Sequence, residues 1–204
     1  MEIIPLFSKP IYKEQLKINI KKIVSLMNND FEKAGSKIKG IDVDNITGVS
    51  KSFSVLDQKK LMYLKNILMK EFYKYSYDIL HYSNKFKITT SWFTKSEKNQ
   101  SSNYHNHSNS MFSGILYIQT NKSSGNISFQ NFNDSRYKLD SFKYNIYNST
   151  EYTFQPQDGL LILFPSEVHH KILKNNSNTT RHSLAFNLIP IGEIGNGDSY
   201  INVI

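Results

Sequence analysis

The chain has 204 residues, enough for one domain with a real core, and its 39% hydrophobic and 21% charged residues exclude a disordered polymer. It has no cysteine, which excludes disulfides, thiolate catalysis, iron–sulfur clusters and Cys-rich zinc sites, so any transition metal must be held by His, Asp or Glu. The net charge of +8 comes from scattered lysines, which argue little for a nucleic-acid partner but favour an anionic ligand.

The opening Ile3–Tyr12 reads as a strand broken by Pro5 and Pro10. It lacks a signal-peptide pattern, and no run in the chain is apolar enough to span a membrane, so a cytoplasmic location is expected. From Asn19, the positions Ile20, Ile23, Met27 and Phe31 mark one helix face, with Gly35 as its stop. A second helix is expected from an Asp57 N-cap, with Leu61, Leu64, Leu68, Phe72, Tyr75 and Ile79 as its apolar stripe. After Asn84 the period becomes two, and Phe86, Ile88, Thr90 and Trp92 alternate with Lys87, Thr89 and Ser91. Short strands are then predicted at 111–119, 126–130, 137–147, 152–155, 160–164, 168–173 and 182–189, separated by turn-rich stretches. Segment 132–148, rich in Tyr and Phe, is read as a hairpin packed on the barrel, with a substrate lip as the alternative. Gly192, Gly195 and Gly197 are read as a flexible end, and Trp92 and Phe93 as core. The pattern is α+β: a jelly-roll-like β core backed by N-terminal helices. We expect a single domain over 1–204, with a helical support region (1–84), a β core (85–190) and a tail (191–204).

The chemistry rests on histidines. In an extended segment, His105-Asn-His107 points both imidazoles to one face, a spacing that suits a chelate or a pair of surface histidines alike. A second group, His169-His170, follows the apolar run Gly159-Leu-Leu-Ile-Leu-Phe-Pro165; a short strand there places one of the two inward, and a surface loop leaves both outside. Arg181 is the sole Arg after Arg136 in a chain that otherwise uses Lys, and its planar fork matches a carboxylate bidentately. Ser183 shares its strand face.

In order, these features resemble the 2-oxoglutarate/iron(II) oxygenases, in particular a group found in phages and marine bacteria. The matching stretches are Trp92, His105-Asn-His107-Ser-Asn109-Ser110, Ser113-Gly-Ile-Leu-Tyr117, Gly159 to Ser166 with Phe164-Pro165, His170, and Arg181-His-Ser183-Leu-Ala-Phe186-Asn187, along with the opening Pro5-Leu-Phe-Ser-Lys-Pro10. The resemblance implies a double-stranded β-helix with iron(II) on His105, His107 and His170. It also implies that Arg181, helped by Ser183 and Tyr117, holds the distal carboxylate of 2-oxoglutarate, with Asn109 and Asn187 as polar lining. The implied reaction consumes O2, releases succinate and CO2, and hydroxylates a small-molecule or peptidyl substrate, in a bacterium or a phage-infected cell.

One position departs from the wider superfamily, which has a carboxylate where His107 stands. An all-imidazole set suits zinc as well as iron, and Asp134 or Glu167 is an alternative source of the acid. The competing expectation is a non-catalytic metal-binding β-barrel, a virion or interaction protein, for which Arg181 has no evident use. A homodimer through the helices or an edge strand is compatible with the sequence.

Overall fold

The computed structural model describes residues 2–27, 30–34, 45–131 and 139–204. Its elements are β1 (Tyr12–Gln15), α1 (Ile20–Leu26), β2 (Phe31–Lys33), β3 (Gly48–Ser50), α2 (Met62–Tyr73), β4 (Lys85–Ser96), β5 (Phe112–Gln119), β6 (Ile127–Gln130), β7 (Glu151–Phe154), β8 (Leu160–Pro165), β9 (His169–Ile172), β10 (Arg181–Ile194) and β11 (Ile201–Val203).

Among the described residues the strands form two sheets. The larger runs β1-β8-β5-β10-β4-β3-β2, with β11 added to β10, and the smaller runs β7-β6-β9. All of these strand pairs are antiparallel. The sheets face each other across an apolar cluster of Ile115, Tyr117, Ile127, Phe129, Leu160, Ile162 and Phe164. Strand alternation sends the other set of side chains outward, where Leu116, Ile118, Leu161, Leu163, Leu184 and Phe186 join a second cluster with Ile23, Leu64, Leu68 and Phe72 of the helices. Each fully buried Leu or Phe there stabilises the fold by roughly 1.5–3 kcal/mol. Gly114 allows the closest packing of this layer, since a Cβ on it would lie 2.3 Å from the Phe186 ring.

The face of β4 is not continuous. Its register with β10 shifts between Asn187 and Leu188, so Thr90 pairs with Asn187 but Ile88, not Thr89, pairs with Leu188. A one-residue slip turns side chains to the opposite face. Phe86 and Ile88 therefore pack in the helix-side cluster, as does Phe93, while Trp92 rests against a histidine between the sheets. The expected single stripe of Phe86, Ile88, Thr90 and Trp92 is thus split, and Trp92 is not core.

Several other expectations are corrected. The first helix ends at Leu26 with Met27 already extended, and Phe31 lies in β2; Gly35 lies outside the described residues. Asp57 ends a 3₁₀ turn instead of capping a helix, and pairs with Lys65 at 2.6 Å. The second helix begins at Met62 and closes in a π turn over Lys74–Ile79, whose wider winding leaves Ile79 54% exposed, off the buried stripe. The part of 137–147 that is described, 139–147, forms no strand. Asn145 Oδ1 accepts from the Tyr147 N–H, Asn148 Oδ1 accepts from the Asn145 N–H, and these side-chain bonds hold turns instead. Nor is this segment packed, because Leu139, Phe142, Tyr144, Ile146 and Tyr147 are all exposed. The glycine-rich end is a hairpin: β10 continues to Ile194, and β11 pairs back on it through a turn in which Gly195 and Gly197 have positive φ.

Candidate metal and carboxylate site

His105 and His170 form an antiparallel bridge, each donating its backbone N–H to the other's carbonyl at 3.0 and 2.9 Å. Two residues on, the His107 N–H donates to the Ser166 carbonyl at 3.0 Å, so the segment is extended as its spacing requires. The three candidate ligand nitrogens of His105, His107 and His170 all lie within 4.8 Å of one another. On β9, alternation places His170 inward, with its ring 4.7 Å from Phe164 and 5.9 Å from Phe129. His169, next in sequence, pairs with Gln130 and falls on the other face.

Two of the tautomers are set by the backbone. Nδ1 of His105 lies 2.9 Å from the Asn103 carbonyl, and Nδ1 of His170 lies 3.0 Å from the Val168 carbonyl. Since a carbonyl only accepts, each Nδ1 carries the proton and each Nε2 is left as an acceptor. His107 has no such ring bond among the described residues and rests against Trp92, ring centres 5.8 Å apart. Burial, aided by the neighbouring imidazoles, lowers His170 to about 3 and His107 to about 4; burial also lowers His105. All three are therefore neutral near pH 7, as metal binding needs.

A second group lies on the inner face of the large sheet. Ser183 of β10 sits between Tyr117 of β5 and Thr94 of β4, and its hydroxyl is 2.5 Å from that of Thr94. Arg181, one alternation away, is 1% exposed. One guanidinium nitrogen donates to the Ser124 carbonyl at 3.0 Å, yet among the described residues Nε has no partner, nor has the buried Tyr117 hydroxyl. No carboxylate of a described residue pairs with Arg181. Burial lowers the Arg181 pKa and raises that of Tyr117. A buried guanidinium without a counter-ion is costly.

The remaining expected residues divide. Asn187 lies on the inner face, bonded to Ser113 and Thr90. Asn109 is exposed at φ 55°, serving the turn after His107 and not lining the interior. Glu167 faces Lys9 at 3.0 Å and does not join the imidazoles, and Asp134 lies outside the described residues. Thr94, Ser124, Ser166 and the carbonyls of Asn103 and Val168 were not visible as site components in the sequence. Serine, threonine and backbone carry too little residue-type signal to be picked out without the sheet register.

Residues 90–187 match the model of a family described as "Putative 2OG-Fe(II) oxygenase". The fold is that of solved 2-oxoglutarate oxygenases. A prolyl-4-hydroxylase from Pseudomonas putida is similar at TM-score 0.59 and 15% identity, over 92% of this chain and 96% of that one. A prolyl hydroxylase from Trichoplax adhaerens, solved with a hypoxia-inducible-factor peptide fragment, is similar at TM-score 0.64 and 11% identity, over 90% and 85%. The epimerase SnoN of nogalamycin biosynthesis, solved with Fe3+ and α-ketoglutarate, is similar at TM-score 0.62 and 8% identity, over 89% and 79%. Among curated proteins none matches the sequence. The His105, His107 and His170 cluster fits an iron site. No helix among the described residues is long and apolar enough to cross a membrane.

Proposed function

We propose that this protein is a 2-oxoglutarate- and iron(II)-dependent dioxygenase that hydroxylates a small-molecule or peptidyl substrate. The observation that carries the reading is the cluster of three imidazoles, His170 buried and His105 exposed, in a fold that also buries Arg181 without a carboxylate partner among the described residues. When bound, iron with 2-oxoglutarate and O2 supplies the oxidising power, with succinate and CO2 as by-products.

The protein's own part is binding and exclusion. His105, His107 and His170 hold the metal through their free nitrogens. Arg181 and the Tyr117 hydroxyl take the distal carboxylate of 2-oxoglutarate, and Ser183, held by Thr94 at 2.5 Å, supports the same end. The apolar cluster around Phe129, Ile162 and Phe164 keeps water from one side of the metal. Two of the similar structures are prolyl hydroxylases and one is an epimerase, so hydroxylation is our choice among outcomes the fold supports. We further propose that 1–204 works as one catalytic domain, with α2 as a support for the large sheet, in the cytoplasm.

A second reading, a non-catalytic metal barrel, draws on the all-imidazole set, which suits zinc. The experiment that separates the two is succinate formation. Under air, with Fe(II) and 2-oxoglutarate, the protein should form succinate at least stoichiometrically, and His170→Ala should not. An iron-loaded wild type that leaves 2-oxoglutarate intact would favour the barrel.

A further inference from the structure

His105 and His170 have their rings fixed by backbone carbonyls, whereas the His107 ring has no hydrogen bond among the described residues and its main-chain N–H donates to the Ser166 carbonyl at 3.0 Å. Ser166 is thus the anchor of His107, and what holds Ser166 holds the ligand. The Ser166 N–H donates to the Met111 carbonyl, and its side chain is fully buried in a row of polar groups. Along that row, Thr90 Oγ1 lies 3.1 Å from the Asn187 amide, which lies 2.8 Å from Ser113 Oγ. Ser113 Oγ is 2.7 Å from Ser166 Oγ, and Ser166 Oγ is 2.9 Å from Ser110 Oγ. Ser110 Oγ ends the row 2.8 Å from the Phe112 carbonyl and 3.2 Å from that of Leu188.

Counting hydrogens gives this row a direction. A carbonyl cannot donate, so the single Ser110 hydrogen goes to the carbonyls. Ser166 must then donate to Ser110, and Ser113 to Ser166. Ser113 has no hydrogen left for Asn187, so the amide atom facing Ser113 must itself be a donor. Oδ1 faces Ser113 and Nδ2 faces Thr90 in one orientation of the amide; a flip exchanges the two. Flipped, every contact holds one hydrogen: Thr90 to Asn187 Oδ1, Asn187 N–H to Ser113, then Ser166, Ser110 and the backbone. Unflipped, two buried oxygens stand 2.7 Å apart with none between them. Reversing the row instead would leave Ser110 facing two carbonyl oxygens without a hydrogen.

We propose that Asn187, Ser113 and Ser166 are positioning residues for His107, joined in a one-way chain of donated hydrogens that starts at Thr90. This rests on the metal reading above and adds to it the part that aims the least-anchored ligand.

The test has two arms on the full chain. In isotopically labelled wild type, nuclear Overhauser contacts from the Asn187 side-chain NH2 should reach the Ser113 β-hydrogens; contacts to the Thr90 methyl instead would overturn the chain's direction. In the second arm Co(II) is the probe. Ser166→Ala, shown folded by circular dichroism, should bind Co(II) about 10- to 100-fold more weakly, with altered visible bands. Asn187→Asp, an obligate acceptor facing Ser113, should weaken it more than Asn187→Ala does. Wild-type affinity and bands in Ser166→Ala would overturn the positioning role. A wild type that takes up no Co(II) would overturn the metal reading and the positioning role together, while the Overhauser contacts still decide the chain.

Discussion

His105 and His170 exchange both of their backbone hydrogen bonds, so two candidate ligands sixty-five positions apart are fixed by one antiparallel bridge. The imidazoles follow from the backbone, with ring centres 4.4 Å apart. Replacing either by Ala should reduce Fe(II) or Co(II) affinity by more than about 100-fold, beyond what loss of a supporting contact costs. His169→Ala should change it only a few-fold, because that ring faces away. Isothermal titration of the three variants checks this, and a large loss in His169→Ala would contradict the assignment.

Trp92 is the chain's only tryptophan, and its ring centre is 5.8 Å from that of His107. Its emission should therefore report the site. Addition of Co(II) or Ni(II) should quench it saturably at one equivalent, and the quenching should vanish in His107→Ala.

The metal-free protein should lose stability in mild acid. Burial lowers His170 from 6.5 to about 3, so between these values the unfolded chain binds a proton that the folded one does not. Stability is fully present above pH 6.5 and falls as the pH drops toward 3. At pH 5 this one residue should cost about 2 kcal/mol. Urea unfolding at pH 7 and pH 5 measures it, and the difference should shrink in His170→Gln.

Much of this was legible in the chain. The period-two pattern marks most of the strands, and the His-x-His pair and distal His, ordered as the family resemblance implies, come together in the fold. The rest depended on events a pattern does not encode. The register shift beside Asn187 reverses the face of β4 and turns Trp92 inward. The π turn removes Ile79 from its stripe. The turns around Asn145 replace an expected strand despite its aromatic residues. The supporting shell of Ser113, Ser166, Thr94 and backbone carbonyls required knowing which strands are neighbours.

Arg181 is held partly by the carbonyls of Ser124 and Gly125, at 3.0 and 3.4 Å. Gly125 has φ +83°, and a Cβ there would lie 2.0 Å from the Leu173 carbonyl oxygen. Gly125→Ala should therefore destabilise the fold by about 2 kcal/mol or more and weaken 2-oxoglutarate binding as well. Thermal unfolding with and without 2-oxoglutarate separates the two effects.

Removing the buried charge should cost function and not stability. Without ligand, Arg181→Met should be at least as stable as the wild type, by about 1 kcal/mol, since it relieves an uncompensated guanidinium. A loss of several kcal/mol in urea would mean that Arg181 serves the fold and not a carboxylate.

The most direct measurement is the visible spectrum of the protein under anaerobic conditions as Fe(II) and then 2-oxoglutarate are added. A metal-to-ligand charge-transfer band should appear that needs both additions, weakens in Arg181→Ala and is lost in His107→Ala. A folded wild-type protein that binds iron but develops no band with 2-oxoglutarate would contradict the proposed function.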